Sequence, residues 1–230
     1  LAMFGDMLTT DHISPIATIS SGTPAAEYLE SLGIAAKDFV SYGARRLNHD
    51  VMTRGAFANI RIRNEMVHGV EGSATRHWPS GESLSIFDAA ARYRRDHVPL
   101  VVVGGAEYGA GSSRDLAAKG TRLLGVRAVI VESFERIHRS NLVGIGVLPL
   151  QFAPGVTRKT LALDGSEVFD ISGLAAGPTP RQAVPCVITR SDGSRIAIIL
   201  LARLDTHHEV EYYRHGGILH YMLRGRLKTE

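Results

Sequence analysis

Two short apolar runs stand out along the chain, residues 99–104 and 127–131, both rich in β-branched side chains and neither alternating with polar ones. Runs of that kind mark strands buried on both faces, and the residues between them, 112–124, have a helical composition. Strand, helix and strand together predict a βαβ unit with a parallel sheet. A short helix over 134–141 and a strand over 147–150 extend the pattern. Beyond Pro154 the pattern changes. Residues 167–172, 184–190 and 195–201 read as antiparallel strands, the last two joined through Ser191-Asp192-Gly193. One mixed sheet or two separate sheets would accommodate them.

The flanks carry their own signals. Thr23-Pro24 reads as a helix start, with Thr23 as N-cap and Pro24 at the first helical position, and Gly33 ends that helix. Two alternating segments, 74–78 and 83–86, meet at Trp78-Pro79-Ser80-Gly81-Glu82 and predict a hairpin, followed by a helix over 87–95. Two terminal helices, His207–Arg214 and 217–227, are separated at Gly216-Gly217. The chain shows no internal repeat and no low-complexity stretch longer than the loop at 173–180.

With 230 residues, 44% hydrophobic and 21% charged, the composition is that of an ordinary globular domain. No apolar run reaches the ~18 residues of a membrane span and no signal peptide is visible, so a cytoplasmic location is expected. A single cysteine, Cys186, excludes an internal disulfide and a Cys-rich metal site built from this chain alone. The net charge is +3, and the arginines fall in groups such as Arg45-Arg46, Arg61 with Arg63, and Arg92 with Arg94-Arg95. They form no continuous basic stripe, so an anionic small ligand explains them as well as nucleic acid does. Leu1-Ala2-Met3-Phe4-Gly5-Asp6 opens without an initiator methionine, and a fragment of a longer polypeptide is expected.

The most informative stretch is Gly104-Gly105-Ala106-Glu107-Tyr108-Gly109-Ala110-Gly111-Ser112-Ser113-Arg114-Asp115. Gly109 and Gly111 let the backbone approach a ligand, and the helix that follows presents N–H groups carrying a partial positive charge. An anion fits there, and Arg114 adds a flat guanidinium suited to a carboxylate. The same spacing also reads as a capping box, Ser112 as N-cap and Asp115 closing it. Spacing alone leaves both readings open. The loop matches neither the G-x-x-x-x-G-K-[ST] nor the G-x-G-x-x-G pattern, which disfavours a nucleotide there.

Gly5-Asp6 with Thr9-Thr10-Asp11-His12-Ile13-Ser14-Pro15 is followed in order by Ser41-Tyr42-Gly43 with Arg45-Arg46 and by Arg54-Gly55 with Phe57-Ala58-Asn59-Ile60-Arg61. Tyr108-Gly109 with Gly111-Ser112-Ser113-Arg114-Asp115 comes next, then Glu132-Ser133-Phe134-Glu135-Arg136-Ile137-His138-Arg139-Ser140-Asn141-Leu142 and Gly216-Gly217-Ile218-Leu219-His220-Tyr221. Over nearly its whole length the chain resembles the aconitase family, in the branch that holds the bacterial A-type enzymes and the iron regulatory proteins. The resemblance is to that family's fourth, C-terminal domain. It implies an α/β fold, a swivelling β/β/α unit with a mixed sheet and flanking helices. Residues 1–230 would form one domain: an active-site loop and linker approach over 1–22, a core over 23–204 and terminal helices over 205–230.

The resemblance also implies a hydro-lyase that isomerises citrate and isocitrate through cis-aconitate. Ser112 would act as the base, with Ser113, Arg114 and Arg54 binding substrate carboxylate and Asp11 and Ser14 completing the active-site loop. The 4Fe-4S cluster would be held by three cluster-bearing domains of the same polypeptide, with none on this chain, which alone would be inactive. Taken without the resemblance, Asp11 and Ser14 read as turn caps and Arg54 as a surface cation. His12, His138 and Arg136 are expected to be structural, and His207, His208, His215 and His220 to lie on a helix surface without metal.

Ala44, Leu47, Ala106, Ala110 and Leu116 depart from the family pattern near the substrate loops. They leave room for a related substrate, as in 2-methylcitrate dehydratase or the isopropylmalate isomerase small subunit. RNA binding of the iron-regulatory kind is a further alternative, which the scattered arginines support poorly.

Overall fold

Local signals account for most of the elements in the computed structural model, which describes residues 1–227; the end of the expected 205–230 segment lies outside the described residues. In chain order they are β1 (Ala2–Met3), α1 (Thr10–Ile13), α2 (Pro24–Ser31), α3 (His49–Gly55), β2 (Ala74–Arg76), β3 (Ser83–Ser85), α4 (Ile86–Arg95) and β4 (Leu100–Gly104). Then follow α5 (Arg114–Leu123), β5 (Val126–Val131), α6 (Arg136–Gly144), β6 (Leu148–Phe152), β7 (Val168–Ile171), β8 (Ala183–Thr189), β9 (Arg195–Ala202), α7 (His207–Arg214) and α8 (Ile218–Leu227). As the sequence predicts, Thr23 caps α2 through its hydroxyl, which accepts the Ala26 N–H at 3.3 Å, and Pro24 opens the helix. β2 and β3 form the expected hairpin, with Thr75 opposite Leu84.

Three elements were not legible. β1 is two residues long and α1 a single turn, too short for any periodicity to show. α3 is rich in polar residues, and its start is set by Asn48, whose side-chain oxygen accepts the N–H groups of Asp50 and Val51 at 3.0 and 3.2 Å. The helix expected over 134–141 begins at Arg136 instead, because Glu135 turns its carboxylate back onto the N–H groups of Ile137 and His138.

A single mixed sheet settles the choice between one sheet and two. Its order is β1-β4-β5-β6-β9-β8-β7, with β2 and β3 apart as a separate ribbon. β1, β4, β5 and β6 pair in parallel, and β6, β9, β8 and β7 pair antiparallel. The parallel half is buried on both faces. Val102, Val129 and Val131 join Phe4, Phe57 and Leu142 on one side, while Val103, Ala128 and Ile130 join Leu150, Val184 and Leu200 on the other. Alternate residues of one strand thus serve two cores, which is why these strands read as unbroken apolar runs. In β8 the burial alternates instead, with Val184, Cys186 and Ile188 inside and the intervening residues outside or at the margin. A third cluster gathers Ile19, Leu29, Phe39, Tyr42, Val51 and Met52 between α2 and α3.

Two buried groups tie the flanking helices to this frame. Arg139 of α6, only 6% exposed, grips Glu209 of α7 at 2.9 and 2.8 Å and donates to the Arg203 carbonyl at 2.7 Å. His138 beside it is fully buried against Tyr108, with ring centroids 5.6 Å apart, and burial lowers its pKa to about 4. At the other end of the sheet the Leu1 nitrogen donates to the Val101 carbonyl at 2.9 Å.

Replacing Arg139 with alanine would leave the Glu209 carboxylate without its partner. The loss expected is about 3 kcal/mol of unfolding free energy, read from the urea midpoint.

The depressed His138 pKa sets an acid limb in stability. The unfolded chain takes up a proton at His138 near pH 6.5 that the folded chain refuses until about 4, so stability falls as pH drops through that window, by up to about 3 kcal/mol. Urea midpoints measured across pH 4 to 8 should show this loss.

Candidate active site

β4 ends at Gly104, and the chain makes a tight turn before α5 begins at Arg114. This glycine-rich turn is packed between two other segments. On one side the start of the chain runs alongside it: the Gly109 N–H donates to the Leu8 carbonyl at 2.7 Å and the Thr10 N–H to the Ala110 carbonyl at 2.7 Å. On the other side the Tyr108 N–H donates to the Ser133 carbonyl, and the Glu135 N–H to the Tyr108 carbonyl. Glycine is required at two places. Gly109 has φ of +93°, and a Cβ there would lie 2.2 Å from the buried His138 ring. Gly111 has φ of +125°, and a Cβ would lie 2.6 Å from Thr10 Oγ1.

Ser113 is the fixed point of the turn. Its hydroxyl donates to Asp11 Oδ1 at 2.7 Å, its N–H donates to Thr10 Oγ1 at 3.2 Å, and its carbonyl accepts from Ser14 Oγ at 3.0 Å. Three residues of α1 and its C-cap therefore hold one residue of the loop. α1 is held in turn by a capping box, in which the His12 N–H donates to Thr9 Oγ1 and His12 Nδ1 accepts the Thr9 N–H. Asn59 adds a bond to the Asp11 carbonyl at 3.1 Å. His12 and His138 both hold the fold together, as expected of them.

The capping reading of Ser112 does not hold. The N-cap of α5 is Ser113, at φ −83° and ψ 33°, and its side chain makes no capping bond because it is already committed to Asp11. Ser112 is exposed, and its hydroxyl has no partner among the described residues. Arg114 is exposed beside it. A rigid turn thus presents one hydroxyl, one guanidinium and the uncapped first-turn N–H groups of α5 to the same solvent-facing space.

The expected site residues separate into three groups. Ser112, Ser113 and Arg114 lie together at the start of α5, with Asp11 and Ser14 behind Ser113; Ser14 is buried, its hydroxyl turned to the loop. Arg54 is elsewhere, on α3. Its guanidinium lies between the rings of Tyr28 and Phe87, 4.2 and 4.7 Å from their centroids, and donates to the Asp50 carbonyl at 2.9 Å. The surface-cation reading of Arg54 fails, since its side chain is only 22% exposed. No hydrogen bond or ion pair joins Arg54 to the loop among the described residues.

Sequence reasoning missed what lies beneath the loop. Arg158, 3% exposed, donates to Glu65 at 2.8 and 3.0 Å, to Glu132 at 2.7 Å and to Asp6 at 3.3 Å. Asp6 Oδ1 also accepts the Ala106 N–H at 3.0 Å, and that bond, with the Arg158 charge, holds the Asp6 carboxyl below its ordinary value. Glu65, and then Asp6 and Glu132, correspondingly raise the Arg158 pKa. Arg158 lies in an irregular segment where no pattern marks it. Thr10 sits inside the motif at residues 9–15, but only the packing shows that it receives Ser113.

Among the described residues no group of three or more His, Cys, Asp or Glu side chains is arranged to hold a metal. The one cysteine, Cys186, is buried in β8, where burial pushes its thiol up to about 11. The described residues present no donor set that fits an iron-sulfur cluster.

A model of the aconitase C-terminal domain family matches residues 25–155. Aconitate hydratase A of Escherichia coli is 58% identical over 228 residues, covering 99% of this chain and 26% of that protein. Its counterparts in Pseudomonas aeruginosa and Thermus thermophilus are 60% and 55% identical, each over 99% of this chain and 25% of their own length. Among solved structures, 3-isopropylmalate dehydratase from Methanocaldococcus jannaschii is 19% identical with a TM-score of 0.39, covering 64% of this chain and 81% of that one. The chain spans about a quarter of the length of the curated relatives it matches. On the matched span and on the identity it keeps across its length, this chain belongs to the aconitase C-terminal domain family.

Proposed function

We propose that the chain is the C-terminal domain of an aconitate hydratase, closing over a tricarboxylate held by the cluster-bearing domains of the same polypeptide. The observation that carries this reading is the division of labour at the loop. Ser113 is fixed by three hydrogen bonds, while its neighbours Ser112 and Arg114 stand exposed and uncommitted. A base and a carboxylate clamp have to be free in just this way and yet held in place.

In this reading Ser112 removes the proton beside a substrate carboxylate and Arg114 binds that carboxylate; Ser113, its hydroxyl and N–H given to Asp11 and Thr10, reaches the substrate only by exchanging one of those partners for it. A serine hydroxyl is a poor base in water. Its alkoxide becomes accessible only where donors offset the charge, and the first-turn N–H groups of α5 and the Arg114 guanidinium are those donors. Asp11 and Ser14 act through Ser113, by fixing where it sits. Arg54 binds a second carboxylate at a distance from the loop, its guanidinium stiffened by the two aromatic rings. The 4Fe-4S cluster belongs to the other domains, and this chain supplies no ligand for it.

Exposed apolar side chains on the segments that carry the loop support a partner surface on this face. Met7 and Ile16 flank α1, Ile60 follows Asn59, and Leu47 is 92% exposed just before α3. A cytoplasmic location completes the proposal; among the described residues no helix is long and apolar enough to cross a membrane.

Changing Ser112 to alanine in the complete enzyme is expected to cut turnover by about 10²–10⁴-fold with the thermal midpoint unchanged, since the hydroxyl contributes nothing to packing. Rates within a fewfold of the unmodified enzyme would remove Ser112 from the mechanism. Asp11→Ala frees the Ser113 hydroxyl while leaving Ser112 and Arg114 intact. It should lower kcat/KM by about tenfold or more, and Asp11→Asn, which keeps an acceptor, should recover part of that loss.

A further inference from the structure

The far end of α5 carries a second concentration of positive charge that the proposed chemistry does not use. Arg122, in the last turn of the helix, and Arg127, on β5, line a cleft of about 440 Å³ together with Tyr213 and Arg214 of α7, with Leu174 and Pro178 forming an apolar wall. Arg122 and Arg127 have no carboxylate within ion-pairing distance among the described residues. They are close enough to repel: burial, and then the neighbouring Arg127, hold the Arg122 guanidinium below its ordinary value. Arg214 has only Glu211, at 3.1 Å on the exposed surface of its own helix, a pair that offsets little.

The helix gives partial compensation. The C-terminal end of α5 carries about half a negative charge, and Arg94 already donates to the Leu123 carbonyl there. Against three guanidiniums that leaves an excess of positive charge around one open volume. The Tyr213 hydroxyl lies in the same field: burial raises its pKa, and Arg122 and Arg127 pull it the other way. Charges gathered without counter-ions, around a volume of the size that takes small molecules, are arranged for an anion from solution.

We propose that this cleft is a second ligand site, one that takes a small phosphorylated anion at the opposite end of α5 from the glycine-rich loop. Eight residues of helix separate Arg122 from Arg114, or about 12 Å along the axis. The two sites share no lining residue. A phosphoryl group fits the arrangement better than one carboxylate does, because its dianion offers three terminal oxygens to guanidiniums approaching from α5, β5 and α7. The wall of Leu174 and Pro178 accommodates the uncharged remainder of such a molecule. The site is independent of the loop chemistry and stands whether or not that reading does.

Calorimetric titration of the chain with inorganic pyrophosphate tests this, with citrate and a short single-stranded RNA as parallel arms. Pyrophosphate should bind at one site and more tightly than citrate, and raising the salt from about 50 to about 200 mM should weaken it. Arg127→Gln, at an exposed position, should weaken binding at least about tenfold without moving the thermal midpoint. Arg214→Gln should weaken it too, and Arg114→Gln should leave it unchanged. The proposal is overturned if pyrophosphate does not bind, if Arg127→Gln binds as tightly as the unmodified chain, or if citrate binds more tightly and Arg127→Gln abolishes that binding. Loss of binding in Arg114→Gln would place the anion at the loop and also overturn it, as would Arg127-dependent binding of RNA without binding of pyrophosphate.

Discussion

The structure depends on two stretches about a hundred residues apart sharing one turn. The chain from Leu8 to Ser14 and the loop from Gly109 to Ser113 are bonded to each other backbone to backbone and through Thr10, Asp11 and Ser14. Contact is so close that the loop has no space for a Cβ at Gly109 or Gly111. A turn of this kind has little freedom left, and the entropy of fixing it was lost on folding. Ser112 and Arg114 inherit that rigidity without taking part in the bonds that create it.

Buried charge supports the arrangement from below. Arg158 gathers Asp6, Glu65 and Glu132, which come from three distant parts of the chain, and Asp6 passes the constraint to the loop at Ala106. Arg139 does similar work for α7 through Glu209. Buried ion pairs of this kind add little net stability, because desolvation offsets their attraction, but removing one partner leaves a charge stranded. Their effect is to permit one placement of the loop and of the helix and to penalise others. The loop itself emerges from the carboxyl end of a parallel strand, the edge at which open α/β sheets place their ligands.

Helix α5 has two chemically different ends. Its N-terminus offers uncapped N–H groups with a serine and an arginine, and its C-terminus faces arginines that outnumber the dipole's partial charge. The sequence marks the first end through its glycines. It hides the second, since Arg122 and Arg127 read as unremarkable charges until α7 brings Tyr213 and Arg214 beside them.

What the sequence determined by itself was local. Valine-rich runs, the Thr23-Pro24 helix start and the Ser191-Asp192-Gly193 turn each act over a few residues, and the structure has a strand, a helix and a hairpin at those places. The order of the glycine and serine motifs was enough to point to the family. Only the tertiary structure decided that the strands form one mixed sheet, that Ser113 and not Ser112 takes the N-cap position of α5 and leaves it uncapped, that Arg54 is held between two rings, and that Arg158 underlies the loop. Each of these turns on a partner about 20 to about 150 residues away in the chain. No pattern of near neighbours encodes such a distance, because the competition for a hydroxyl or a guanidinium is decided by what else packs against it.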